Sequence, residues 1–132
     1  MDSKCLLHRQ IHPSFVIDGI VSNQAFIEYS VSSGAFMPSA KDNNKLSVYN
    51  GEKFTAKDSF DHFTTTYSSV GVLSVTLEEV ISIQLSVIND NIPFEGHTSI
   101  DFEAIASKNQ KSIKAGKLRD YAVNRGWTYK II

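Results

Sequence analysis

An α+β domain with a mixed, mostly antiparallel sheet, two short helices and one long basic C-terminal helix is the fold class this sequence predicts. Three observations carry it. Ser69-Val70-Gly71-Val72-Leu73-Ser74-Val75 is rich in β-branched residues and runs straight into Thr76-x-x-Glu79, a capping box that opens a helix. Ser107-x-x-Gln110 is a further capping box before a helical stretch over residues 108–125, with Gly126 in the expected place beyond its end. Strand-like segments lie near both ends, so strands and helices alternate irregularly, and α+β is the economical architecture.

Taken in order, Cys5 to Ile11 is an apolar-rich strand closed by His12-Pro13, because proline removes a ladder donor. Ala25 to Tyr29 is expected as strand and Ser30-Val31-Ser32-Ser33-Gly34 as a flexible connection. Asp42-Asn43-Asn44 is a turn, and Leu46 to Tyr49 a short strand stopped by Asn50-Gly51. Thr55 with Asp58 caps a short helix through Phe60 and Phe63. The strand of residues 69–75, with four apolar side chains in seven, is expected at a central position, followed by the helix that Thr76 caps. Leu85 to Ile88 is extended, Asn89-Asp90-Asn91 turns the chain, and His97 to Glu103 is a strand with Ile100 and Phe102 on one face. In the long helix Ala115, Leu118 and Ala122 form the buried stripe, widened by Ile113 and Tyr121. Residues 127–132 are a last strand, expected to pair inside the sheet.

No repeat, low-complexity tract or linker interrupts the chain, so residues 1–132 are expected to form a single compact domain. One cysteine, Cys5, excludes an internal disulfide, and without Cys-x-x-Cys or His-Glu-x-x-His spacing no metal site and no cofactor are expected. After Met1-Asp2-Ser3-Lys4 only three apolar residues come before His8-Arg9, too few for the apolar region of a signal peptide, and no run is long enough to span a bilayer. The expectation is cytoplasmic, with no membrane association. Charge is unevenly spread: residues 1–106 hold six Lys and Arg against thirteen Asp and Glu, whereas residues 107–132 hold seven against one. Local potential steers association more than the net charge of −1 does.

Two groups of residues could carry function. Lys108, Lys111, Lys114, Lys117 and Arg119 give the last helix a basic surface, suited to a protein partner or to non-specific nucleic-acid contact. The lysines recur every third residue and drift around the helix, so a solvated face is the structural alternative, with pairing to the acidic remainder as another. The second group is polar residues in odd places. Arg9 shares a strand face with Leu7 and Ile11 and must find a carboxylate, a carbonyl or a ligand anion; Asp101 and Glu103 are the structural candidates. His12, before a proline, is either an acid–base group or a turn histidine. With Ser47 and His97 these make the catalytic candidates Arg9, His12, Ser47 and His97.

Arg9-Gln10-Ile11-His12-Pro13, Phe36-Met37-Pro38, Leu46-Ser47-Val48-Tyr49, Ser69-Val70-Gly71-Val72, His97 with Ile100-Asp101-Phe102, and Arg125-Gly126-Trp127 resemble a group of short bacterial hypothetical proteins. That resemblance implies a bacterial origin and a domain spanning the whole chain, and it transfers no mechanism. Arg9, Ser47 and Glu78 or Glu79, in that order, also resemble the arginine–serine–glutamate pattern of ADP-ribosyltransferase-like enzymes. Two readings follow. One is a binding module of immunity or accessory type that works through a protein partner. The other is a nucleotide- or nucleic-acid-processing enzyme, which requires its candidate side chains to converge in one pocket.

Overall fold

The computed structural model describes residues 1–18 and 29–131. Its main sheet has six strands, β1 (Leu6–Ile11), β4 (Lys45–Asn50), β5 (Gly71–Thr76), β6 (Ser86–Ile88), β7 (His97–Asp101) and β8 (Tyr129–Lys130), in the order β6-β7-β4-β1-β5-β8. Every pair is antiparallel. β2 (Val16–Asp18) and β3 (Tyr29–Val31) make a separate two-stranded ribbon. The helices are α1 (Ala56–Phe63), α2 (Leu77–Ser82) and α3 (Lys108–Arg125). The expected α+β class is therefore observed, with no parallel pair among the described strands.

Alternation along β1 divides the domain. Leu7 and Ile11 point to a face where Leu46, Val48, Leu73, Val75 and Ile100 form the core, closed by α2, α3 and the 3-10 turn Ser33–Phe36. Ala115, Leu118 and Ala122 are fully buried, and their small side chains let α3 lie close on that turn and β5. On the opposite face α1 packs against β1, β5 and β8, covering one half of the sheet. There Gln10 donates to the Ser59 hydroxyl and accepts from Ser69, so buried polar groups are paired. No described helix covers the half over β4 and β7.

Helix starts follow their sequence signals. Thr55 and Ser107 each accept from the third backbone N–H of their helix, and Thr76 with Glu79 closes both halves of a capping box. Glu79 also binds Arg125 through both carboxylate oxygens at 2.9 and 3.0 Å, while Arg125 donates to the Ser74 carbonyl. This half-buried fork ties the end of α3 to α2 and β5. No described helix is long and apolar enough to cross a membrane.

Several local expectations are corrected. Ser30 to Gly34 is no loose connection: it completes β3 and enters a turn that Ser32 caps and whose Ala35 and Phe36 are fully buried. Most of the strand expected at Ala25 to Tyr29 lies outside the described residues. Ile113 is 44% exposed and does not widen the buried stripe of α3, whose crossing admits only the narrow Ala-Leu-Ala ridge. The last strand is two residues at the sheet edge, not inside the sheet, because Gly126 and Trp127 are spent turning the chain back onto β5.

That edge depends on Gly71. A Cβ there would come within 2.6 Å of the Tyr129 carbonyl oxygen and 3.0 Å of the Trp127 ring. Gly71→Ala should lower stability by about 1–3 kcal/mol in urea denaturation and shift the fluorescence of Trp127, the one tryptophan; an unchanged midpoint would mean that β8 does not bear on the fold.

Candidate active site

β1 pairs with β5 along all six residues but with β4 only at Leu7↔Asn50 and His8↔Tyr49. Beyond that point β1 and β4 part, and the Arg9 side chain fills the wedge. Its Nε donates to the Ala35 carbonyl at 2.8 Å and its Nη1 to the Ser47 carbonyl at 3.0 Å. The expected ion pair with Asp101 or Glu103 is not formed: Asp101 accepts from the Glu103 N–H, and Glu103 pairs with Lys45 at 3.2 Å. Burial pulls the guanidinium pKa down to about 10.

The wedge opens into a cleft of about 780 Å³ over the uncovered half of the sheet. Ser47↔Ser99 and Tyr49↔His97 are directly opposite pairs, so all four side chains stand on its floor. The end of α1 and the loop after it bring His62, Phe63 and Tyr67 to one wall; the loop between β6 and β7 brings Asp90, Ile92 and Phe94 to another. Tyr49, His62 and Phe94 form an aromatic cluster, with Phe94 4.5 Å from His62 and stacked on Tyr49 at 5.1 Å. Burial pushes the Tyr49 phenol up to about 12, so it stays protonated, and its hydroxyl is hydrogen-bonded to His62 Nδ1 at 2.7 Å.

Three polar side chains form a relay on the floor. Asp90 Oδ1 lies 2.6 Å from His97 Nδ1, and His97 Nε2 lies 3.2 Å from the Ser47 hydroxyl. The second Asp90 oxygen accepts from Ser99 at 2.8 Å. Burial alone would raise the Asp90 pKa, but the hydrogen bonds from His97 and Ser99 hold it below its ordinary range. An ionised carboxylate only accepts, so neutral His97 carries its proton on Nδ1 and turns the Nε2 lone pair to Ser47. Ser47 is exposed, whereas the His97 side chain is 14% exposed. The loop that supplies Asp90 is tied down by Asn89 accepting from Thr98 and Asn91 accepting from the Gly96 N–H.

Of the four catalytic candidates, Arg9, Ser47 and His97 come together in this cleft and His12 does not. His12 Nδ1 accepts from the Ser14 N–H at 3.0 Å and caps the short turn of residues 13–15, the structural alternative for a histidine before proline. Glu78 and Glu79 are absent from the cleft lining, and Glu79 is occupied by Thr76 and Arg125. The arginine–serine–glutamate arrangement is thus incomplete. Asp90, Tyr49 and His62 were missed from sequence; the available signal was Asp90 beside a strand whose His97 and Ser99 share one face. Of the helix cations, Lys111 reaches Asn44, Lys114 the Ile83 carbonyl, and Arg119 both Asp120 and the Val31 carbonyl. Lys108 and Lys117 are exposed. Among the described residues no three His, Cys, Asp or Glu side chains gather as a metal site. Burial pushes the Cys5 thiol up, which suits a core residue rather than a nucleophile.

Behind the floor His8 is 3% exposed. Its Nε2 donates to the Phe54 carbonyl at 3.2 Å, so Nδ1 accepts from Ser74 at 2.7 Å. Burial lowers its pKa, so the unfolded chain takes up a proton first as pH falls below about 6.5. Stability should therefore be full well above that pH and decline as pH falls through it, from about 7.5 to about 5. Urea midpoints should fall more for the wild type than for His8→Asn; equal slopes would contradict a buried neutral His8.

Comparison with known proteins lends the two sequence resemblances no support: no family model, no curated protein and no solved structure matches the chain.

Proposed function

We propose that this chain is a hydrolytic or acyl-transferring enzyme in which Ser47 is the nucleophile, His97 the general base and Asp90 the carboxylate that positions His97. The observation that carries the proposal is the polarity of the relay: acceptor Asp90, donor Nδ1–H, acceptor Nε2, donor Ser47. The 3.2 Å separation of Nε2 and Oγ is within reach of proton transfer. Ser47 Oγ attacks an acyl carbon as its proton passes to Nε2; collapse of the adduct expels the leaving group, which takes that proton. Water then attacks the acyl-serine, gives a proton to His97, and the acid departs as the proton returns to Ser47.

A binding module of immunity or accessory type draws less support, because Lys111, Lys114 and Arg119 are engaged with the body of the domain and only Lys108 and Lys117 of that set remain without a described partner. The same holds for nucleic-acid contact through α3. A cytoplasmic location belongs to the proposal and is supported by the lone, buried thiol of Cys5.

Initial rates with short para-nitrophenyl esters test the proposal. Ser47→Ala and His97→Ala should each lower kcat/KM on the order of 10³-fold or more, with circular dichroism unchanged. Asp90→Asn should lower kcat while leaving KM near wild type, because it disturbs the tautomer of His97 and not substrate binding. Ester cleavage that survives in Ser47→Ala would remove the serine from the mechanism.

A further inference from the structure

The guanidinium of Arg9 is not matched by what surrounds it. It leaves β1 on the same face as Leu7 and Ile11, both fully buried, and no described carboxylate lies within ion-pair distance. Two of its five N–H donors serve the Ala35 and Ser47 carbonyls. Carbonyl dipoles orient a cation but do not neutralise it, and a desolvated charge favours an ionic partner. The remaining donors belong to a group that lines the cleft and is hydrogen-bonded to the main chain of Ser47 itself. The other lysines and arginines of the cleft among the described residues are Lys41, at the exposed rim, and Lys45, which Glu103 already engages. Among the described residues the carboxylates of the cleft are Asp42, also at the rim, and Asp90, which His97 and Ser99 occupy. A ligand anion is the partner that the cleft leaves room for.

We propose that Arg9 is the oxyanion-group subsite of the cleft, holding a carboxylate or phosphate that a short-chain substrate carries beside its scissile acyl carbonyl. The acyl part rests on the Ser47 reading; the anion subsite does not. A guanidinium presents paired donors to the two oxygens of such a group, which gives direction as well as charge. Held there, the anion brings the adjoining carbonyl to the Ser47 hydroxyl. The apolar remainder meets the wall made by Phe63, Phe94 and the exposed Tyr67 and Ile92.

Two measurements made together test this. In the first, wild-type protein hydrolyses para-nitrophenyl hemisuccinate and neutral para-nitrophenyl butyrate in competition. The anionic ester should be preferred in kcat/KM by roughly tenfold or more, as a charged hydrogen bond warrants. Arg9→Gln should erase the preference, and Arg9→Lys, which keeps the charge without the fork, should retain part of it. In the second, the Arg9 Nε–H signal of the Ser47→Ala protein is followed by NMR during titration with glutarate and, separately, inorganic phosphate. A saturable shift with either supports the subsite and identifies which oxyanion it takes. This arm needs no change at Arg9, so a misfolded Arg9→Gln leaves the subsite testable. A shift without hydrolysis of either ester would overturn the Ser47 mechanism and leave the subsite standing. Equal hydrolysis of both esters, with no shift from either anion, would overturn the subsite.

Discussion

The structure turns on a single cation placed where two central strands separate. β1 and β4 are neighbours in the sheet, yet their ladder ends after two residue pairs. Main-chain groups facing the resulting wedge need partners, and Arg9 supplies donors to the carbonyls of Ala35 and Ser47. One side chain therefore links the central strand, the buried turn at residues 33–36 and the strand that carries Ser47. Closing the ladder fully would bury this edge of β4 under β1 and leave less of a cleft beside it. The fold accepts a half-buried charge at its centre, and the gap that the charge bridges is also the opening above Ser47.

Around that opening, the floor is made of strands and the walls of loops fastened to them. Ser47 and His97 stand on paired strands whose backbones are held by a continuous ladder. Asp90 comes from a loop, but its neighbours Asn89 and Asn91 are bonded to Thr98 and Gly96, so the carboxylate is held from both sides. With the loop pinned in this way, the carboxylate of Asp90 is placed to set the tautomer of His97. Loop order and relay geometry are thus one arrangement, which suits a site that must be preorganised before substrate arrives.

The elements that could be read from the sequence are those decided by local chemistry. Thr76 with Glu79, Ser107, and Asn50-Gly51 act within a few residues, and each marks its helix start or turn as expected. Gly126 ends α3 with a positive φ of 93°. What misled was decided at a distance. Ser30 to Gly34 has the composition of a linker, yet α3 packs on the turn that follows it. Residues 127–132 alternate like an inner strand, but only an edge was left beside β5. Arg9, Ser47 and His97 were visible as polar residues in strand contexts. Asp90 reads as a turn residue, and its nearness to a strand with His97 and Ser99 on one face does not by itself say that the hairpin folds it onto His97. His12 looked equally reactive and is a cap, because its nearest hydrogen-bond partner, Ser14, is two residues away.

The central claim is that the hydroxyl of Ser47 is activated by His97 and reachable from solvent. Treatment with a small alkyl fluorophosphonate, followed by peptide mass spectrometry, reads this without knowledge of the substrate. The account predicts a single phosphonyl adduct on Ser47, with loss of fluoride, formed far faster than on any other of the chain's serines and suppressed when His97 is replaced by alanine. Absence of an adduct on Ser47, or labelling there that is indifferent to His97, would contradict it.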